Sequence, residues 1–180
     1  NNDLTFISIG GIGDVTKNMY AYIVGNEILL VDCGIGFADS SLPGVDLLIP
    51  DISYLQAEIA KGKKIVGMLL SHGHEDHIGA LPFILPSLPK FPMYGSTLTA
   101  ALANGKLSEQ GQAADVQVAS FTGNDIKLGI FTISFVRMTH SILDTANIVI
   151  KTPVGNFYHG SDFKFDFTPV AYTATVGYSF

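Results

Sequence analysis

The fold and function of this chain are predicted mainly from one segment, Ser71-His72-Gly73-His74-Glu75-Asp76-His77. It directly follows Lys64–Leu70, whose apolar pattern is typical of a buried β-strand. The run contains three imidazoles and two carboxylates, which are usual ligands for Zn²⁺ and related divalent ions. Because Gly73 permits close backbone approach, His72 and His74 can point the same way in a tight turn. The run therefore predicts a metal site at a strand end rather than a solvated polar turn.

Two further candidate ligands lie downstream, and each follows an apolar strand-like segment. Met138-Thr139-His140-Ser141 offers an imidazole, and His159-Gly160-Ser161-Asp162 offers a carboxylate that could bridge two ions. Asp76 and His77 are expected to face a second metal ion beside the first. Two metal ions ~3.5–4 Å apart activate water for attack on a carbonyl or phosphoryl group. The residues therefore predict a hydrolase and leave its substrate open.

Four neighbouring residues are expected to support the ligands rather than to bind metal. Asp32, at the end of another strand, is predicted to orient a ligand imidazole by accepting its distal N–H. His159 is interpreted as a supporting or structural residue more readily than as a ligand. Ser141 is placed in the same supporting shell. Glu75 is either a supporting carboxylate or a charge at a helix N-terminus, and the sequence does not separate the two.

Composition limits the classes of function. The 180 residues are enough for about one domain, and their net charge of −6 disfavours broad electrostatic capture of nucleic acid. Bound divalent ions would nevertheless reverse the field locally. The single cysteine, Cys33, excludes an internal disulfide and favours a reducing, cytoplasmic setting. Neither a membrane-length apolar stretch nor a signal-peptide pattern is visible, so we expect no membrane partner.

The hydrophobic pattern predicts strands with interspersed helices, which indicates a layered α/β domain rather than an all-β sandwich. Strands are predicted at Leu4–Ile9, Met19–Val24, Glu27–Val31, Lys64–Leu70, Val116–Phe121, Ile126–Leu128, Ile130–Met138, Asn147–Lys151 and Asn156–His159. Helices are predicted at Ile52–Ala60, Ile78–Leu85 and Thr97–Leu107. Gly25-Asn26 is a plausible hairpin turn, and the segment from Gly34 to Pro50 is expected to be irregular.

A glycine-rich stretch, Gly10-Gly11-Ile12-Gly13-Asp14, has the composition of a phosphate-binding loop. Phosphate-binding loops lead into a helix, whereas the residues after this stretch lead into a predicted strand. We therefore do not expect this stretch to bind a nucleotide.

The His72–His77 run, with His140 and Asp162 following in order, resembles the metallo-β-lactamase superfamily. Several longer segments have sequences that are similar to the N-terminal part of ribonuclease J, in the β-CASP branch of that superfamily. The similar segments extend to about Val170 and are Thr16–Tyr20, Ile49–Leu55, Ser71–Pro82, Met138–Ser141 and His159–Asp166. The resemblance implies an αββα sandwich, of which residues 1–180 would be a truncated, N-terminal portion. The β-CASP and C-terminal domains of the family would then be absent from these residues.

The resemblance also implies a function. It implies a zinc-dependent ribonuclease with 5′-to-3′ exonuclease and endonuclease activity on RNA, working in the cytoplasm as a homo-oligomer. It assigns one zinc ion to His72, His74 and His140, a second to Asp76 and His77, and a bridging position to Asp162. Asp76, His77 and Asp162 would form the catalytic centre, and one more ligand histidine is expected outside these residues. Two alternatives stay open: another hydrolase of this fold, acting on a thioester, lactone or β-lactam, and a non-catalytic truncated fragment.

Overall fold

A computed structural model describes residues 3–13, 15–38, 42–113 and 115–165 of the chain. Within these ranges the strands are β1 (Leu4–Gly10), β2 (Met19–Val24), β3 (Glu27–Val31), β4 (Gly36–Phe37), β5 (Leu47–Leu48), β6 (Lys64–Leu70), β7 (Met93–Gly95), β8 (Val116–Val118), β9 (Ile126–Leu128), β10 (Phe131–Arg137), β11 (Ala146–Thr152) and β12 (Gly155–His159). The helices are α1 (Ser53–Ala60), α2 (Glu75–Ile78), α3 (Leu81–Ile84) and α4 (Thr97–Glu109), with a 3-10 turn at Leu85–Ser87.

Two larger sheets organise these elements, and β4 and β5 form a separate two-stranded antiparallel sheet. The first has the order β1-β2-β3-β6-β7-β8, in which β1, β2 and β3 are antiparallel neighbours and β3, β6, β7 and β8 are parallel neighbours. The second has the order β12-β11-β10-β9 and is antiparallel throughout. Parallel neighbours need a crossover connection. Helical segments between β3 and β6, between β6 and β7, and between β7 and β8 provide these crossovers.

The strands β2, β3 and β6 of the first sheet are almost continuously apolar, as expected of strands that are covered on both faces. Side chains alternate along a strand, so Met19, Ala21 and Ile23 of β2 pack with the helices, whereas Tyr22 and Val24 face the second sheet. The helix-side core includes Leu55, Leu81, Ile84, Ala103 and Leu107. The core between the sheets includes Leu29, Leu69, Phe131, Ile133, Phe135, Ile148 and Ile150. The described residues therefore form a helix layer followed by two sheet layers.

The predicted layered α/β class is confirmed. The hairpin turn at Gly25-Asn26 joins β2 to β3, with Gly25 in the left-handed region at φ 58°. Among the described helices, none has the length and apolar character needed to cross a membrane. Residues 166–170, at the end of the segment similar to ribonuclease J, lie outside the described residues.

The single helix predicted at Ile78–Leu85 is wrong. The structure instead has two one-turn helices, α2 and α3, because tertiary hydrogen bonds replace helical ones at their junction. The N–H of Ala80 donates to the carbonyl of Cys33 at 2.9 Å, and the carbonyl of Asp76 accepts the N–H of Asn18 at 3.0 Å. In a continuous helix, Ala80 and Asp76 would bond to each other.

Several short strands were not predicted. β4 and β5 lie in the segment expected to be irregular, and β7 follows a proline-containing turn. Strands of two or three residues are too short to display an alternating pattern, and their pairing depends on distant partners such as β6 for β7. The strand predicted at Val116–Phe121 also ends early, at Val118.

Phe131 provides a test of the packing between the sheets, since its side chain is fully buried there. Phe131→Ala is expected to lower the free energy of unfolding by about 3–5 kcal/mol because it leaves a cavity. Urea denaturation with EDTA present measures this without a metal contribution. Phe37→Ala, at a 61% exposed phenylalanine, is the matched control. Equal losses in the two variants would contradict the packing described here.

Candidate metal centre

The sheet topology brings the predicted ligands to one edge of the two-sheet stack. β3 and β6 are parallel, so Asp32 and the His72–His77 run follow them at the same edge. β10 and β12 are both antiparallel to β11 and therefore run in the same direction, and His140 and Asp162 follow them. The loops after four strands thus meet, although the residues that they contribute are far apart in sequence.

Main-chain hydrogen bonds fix these loops to one another. The N–H of Ala146, at the start of β11, donates to the carbonyl of Ser71 at 2.9 Å and joins the second sheet to the histidine run. The N–H of Lys164 donates to the carbonyl of Thr139 at 2.7 Å, which joins the loop of Asp162 to the loop of His140. These bonds place the candidate ligands independently of any metal.

His72, His74 and His140 form the first group. Each offers a ring nitrogen, and these nitrogens lie within 4.8 Å of one another. Burial, followed by the charge of His77, lowers the pKa of His72 to about 3, and burial also lowers the pKa of His140. Only a neutral imidazole has a lone pair for a metal ion, so these two rings are kept in the state that binds metal.

His72, His77 and Asp162 form the second group, whose ligand atoms also lie within 4.8 Å of one another. Asp162 Oδ2 is 3.8 Å from His77 Nε2 and 3.4 Å from His140 Nε2, so this carboxylate lies between the two groups. Asp76 is in neither group, and its Oδ2 is 3.4 Å from His77 Nε2. Asp162 is therefore close to ligands of both groups, and its bridging role stays a prediction.

Asp32 supports the second group from the protein interior. Its fully buried carboxylate accepts the Ser71 N–H at 2.7 Å and the Ser71 hydroxyl at 2.8 Å, and His77 Nδ1 lies 2.8 Å from it. Burial alone would raise the pKa of Asp32, but the charge and hydrogen bonds of His77 and Ser71 lower it. His77 Nδ1–H is thereby engaged, and Nε2 is left to face Asp76 and Asp162.

Three carboxylates surround His77, and their negative charge favours a positive charge on or beside its ring. Burial alone would lower the pKa of this imidazole, but Asp32, Asp162 and Asp76 raise it to about 11. In the metal-free protein a proton supplies the positive charge, and a divalent cation can replace it. The donor set of imidazole nitrogens and carboxylate oxygens fits a pair of ions such as Zn²⁺.

The remaining predicted supporting residues lie in three different environments. Ser141 Oγ is 3.5 Å from His74 Nε2, at the rim of the first group. Glu75 begins α2 and pairs with Lys106 Nζ at 2.8 Å, as a surface ion pair beside a helix N-terminus. His159 is buried, with Nδ1 2.9 Å from the Tyr22 hydroxyl and its ring centroid 5.0 Å from that of Tyr20. The position of His159 is that of a structural residue.

Sequence reasoning assigned no role to three polar residues that contact the candidate ligands. The Ser161 hydroxyl donates to Ser71 Oγ at 2.8 Å, and the Ser161 N–H donates to Asn147 Oδ1 at 2.9 Å. Ser71 Oγ is also 3.0 Å from His72 Nδ1. Asn18 Nδ2 lies 3.3 Å from Asp76 Oδ2. Adjacency to His72 and Asp162 was a usable signal for Ser71 and Ser161. Asn18 is distant in sequence, and its signal was its place in Thr16–Tyr20, a segment similar to the family.

Comparison with known proteins identifies the family. Residues 12–154 match the metallo-beta-lactamase superfamily. The chain belongs to this superfamily. Membership confirms the predicted family and the predicted class, a metal-dependent hydrolase of the metallo-beta-lactamase fold, and it leaves the roles of individual site residues as predictions.

Curated relatives of this metallo-beta-lactamase chain have the name ribonuclease J. The chain is 43% identical over 171 residues to ribonuclease J of Thermus thermophilus, covering 91% of this chain and 29% of that protein. It is 40% identical over 170 residues to ribonuclease J 1 of Streptococcus pyogenes, covering 94% of this chain and 30% of that protein. The predicted resemblance is thus confirmed over nearly the whole chain, which spans less than a third of the length of these relatives.

Solved structures have the same fold at low sequence identity. A protein of unknown function from Enterococcus faecalis aligns with a TM-score of 0.62 at 16% identity, covering 89% of this chain and 44% of that chain. Zn²⁺-bound PqqB from Methylobacterium extorquens aligns with a TM-score of 0.53 at 12% identity, covering 79% of this chain and 52% of that chain. At such identities the comparison supports the fold alone.

Asp32→Asn tests the support that the buried carboxylate gives to His77. Asparagine has the same shape and tolerates the left-handed conformation of Asp32 at φ 61°, but it lacks the charge. We expect the affinity for Zn²⁺ to fall about 10–100-fold, as is common when a group that orients a ligand is lost. Isothermal titration calorimetry measures the affinity. Asp125→Asn, at a surface carboxylate paired with Lys151, is the control, and equal affinities in both variants would contradict the role of Asp32.

Proposed function

We propose that this chain is the metal-binding catalytic part of a ribonuclease J-type enzyme that uses zinc to hydrolyse phosphodiester bonds in RNA. One observation supports this most strongly: the chain is 43% identical to a ribonuclease J over 91% of its length, and the matching fold gathers six candidate ligands at one edge. The activity comprises 5′-to-3′ exonuclease and endonuclease action. The enzyme works in the cytoplasm as a homo-oligomer.

Six side chains would hold two ions. His72, His74 and His140 would bind the first ion, His77 and Asp76 would bind the second, and Asp162 would bridge them. When bound, such a pair lowers the pKa of a water molecule and neutralises the negative charge that develops on a phosphoryl group.

The protein's own residues contribute orientation and charge. Asp32 engages His77 Nδ1 and so keeps Nε2 directed at the second position. Ser161 joins the loop of Asp162 to Ser71 and therefore fixes the bridging carboxylate relative to His72. Asp162 and Asp76 are ionised at neutral pH. The interaction with His77 holds the pKa of Asp162 at about 2 despite its partial burial, and burial would raise the pKa of Asp76 but His77 lowers it.

We expect the surface that binds the RNA backbone to be formed by residues outside 1–180. The chain has a net charge of −6 and contains 10 lysines and arginines, whereas capture of an RNA backbone draws on clusters of basic residues. The chain also spans 29% of the length of the Thermus thermophilus relative. We therefore propose that residues 1–180 form a truncated metallo-beta-lactamase domain, to which β-CASP and C-terminal domains add the RNA cleft.

A chimera tests the ribonuclease assignment directly. This chain replaces the segment that it matches in Thermus thermophilus ribonuclease J, and degradation of a 5′-monophosphorylated RNA is measured. We expect metal-dependent degradation, because the chain supplies the ligands and the remainder of the relative supplies the RNA surface. Asp162→Ala in the chimera is expected to abolish it. A folded chimera that binds zinc but degrades no RNA would contradict the proposal and favour a non-catalytic fragment.

Measurements on the isolated chain test whether RNA degradation requires domains outside residues 1–180. We expect one tightly bound zinc ion at the three-histidine group and a weaker one at the second group, with little processive degradation of RNA. Metal analysis and an RNA ladder assay measure these. Full processive degradation by the isolated chain would refute the need for further domains. Turnover of nitrocefin or a thioester without RNA cleavage would favour a small-substrate hydrolase instead.

A further inference from the structure

The helix that carries Asp76 gives this candidate ligand little structural support. It lies on α2, a helix of four residues whose N-cap His74 makes no side-chain capping hydrogen bond. A helix of one turn has little intrinsic stability in water. The Asp76 carboxylate is also partly exposed, with 21% of its side chain accessible. Its position beside His77 must therefore be set by contacts from elsewhere in the chain.

Asn18 supplies these contacts from just before β2. Its side chain is buried, and Nδ2 lies 3.3 Å from Asp76 Oδ2. Its main-chain N–H donates to the carbonyl of Asp76 at 3.0 Å, and its own carbonyl accepts the N–H of Gly34 at 2.9 Å. One residue thus holds both the main chain and the carboxylate of Asp76, across 58 positions of sequence.

Tyr20 determines which end of the Asn18 amide faces the metal centre. The Tyr20 hydroxyl donates to Asn18 Oδ1 at 2.9 Å, so the amide oxygen is already engaged. The donor end, Nδ2, is then directed at Asp76, with the carbonyl of Val15 as a second acceptor at 3.4 Å. His77 Nε2 also lies near, at 3.2 Å, but its lone pair would be donated to a bound metal ion, which leaves Asp76 and Val15 as the partners of the amide.

Gly11 explains why the glycine-rich loop lies beside this pair. A Cβ at Gly11 would collide with the Tyr20 hydroxyl and with Asn18 Oδ1, and the residue has a positive φ of 86°. Any side chain here would displace the Tyr20–Asn18 hydrogen bond. Glycine at position 11 thus leaves room for this bond.

We propose that Asn18 is a positioning residue that fixes Asp76 and thereby sets the affinity for the second metal ion, the one proposed at His77 and Asp76, with Tyr20 and Gly11 maintaining the orientation of its amide. This inference rests on the proposed two-metal site. Loss of the amide donor should weaken the second metal ion and leave the ion of the three histidines unchanged.

Zinc titration of the chain, followed by calorimetry, distinguishes a positioning role from a structural one. Asn18→Ala and Asn18→Leu, neither of which can donate to Asp76, should both weaken the second binding step about 10–100-fold. Tyr20→Phe should weaken it less. Asn104→Ala is the matched control, because Asn104 also makes two side-chain hydrogen bonds, to the N–H and carbonyl of Val116, away from the centre.

The outcomes separate this inference from the proposed function. An Asn18→Leu variant with wild-type affinity, or an equal loss in Asn104→Ala, would overturn the positioning role. Absence of a second binding step in the wild type would instead refute the two-metal site. In that case crystal structures of the metal-free wild type and Asn18→Ala still decide the positioning claim: it predicts that Asp76 leaves the neighbourhood of His77 in the variant, and an unmoved carboxylate would overturn it.

Discussion

The parallel pairing of β3 with β6 is the constraint on which the candidate centre depends. It brings the buried carboxylate of Asp32 to the start of the histidine run, where Asp32 accepts two hydrogen bonds from Ser71 and engages His77 Nδ1. A buried charge is costly unless it is paired and hydrogen-bonded, so Asp32 and His77 depend on each other. The contact that pairs the buried carboxylate of Asp32 thus also orients His77 Nε2 towards the candidate metal position.

The second sheet completes the centre in the same way. Its antiparallel order sends His140 and Asp162 to the edge already occupied by the histidine run. Hydroxyl and main-chain contacts from Ser161, Ala146 and Lys164 then set the spacing of the loops. Because the sheets pack through an apolar core that includes Phe131, the distance between the two halves of the centre is a property of that core.

The sequence predicted the elements whose signals are local. Long apolar runs such as β6 and β11, the helix α4, and the cluster from His72 to His77 were all visible without a structure. The interruption between α2 and α3 was not, since it depends on bonds from Cys33 and Asn18 to residues that look helical. Asn18 itself could not be singled out, because its contact with Asp76 exists only after β2 and β6 share a sheet.

The most direct test of the central claim is the anomalous scattering of a crystal soaked with zinc, measured on both sides of the zinc absorption edge. The account predicts two peaks ~3.5–4 Å apart. One peak should lie among the rings of His72, His74 and His140. The other should lie between His77 and Asp76, with the Asp162 carboxylate bridging the two peaks. Zinc bound elsewhere, or a peak contacting neither His140 nor Asp162, would contradict it.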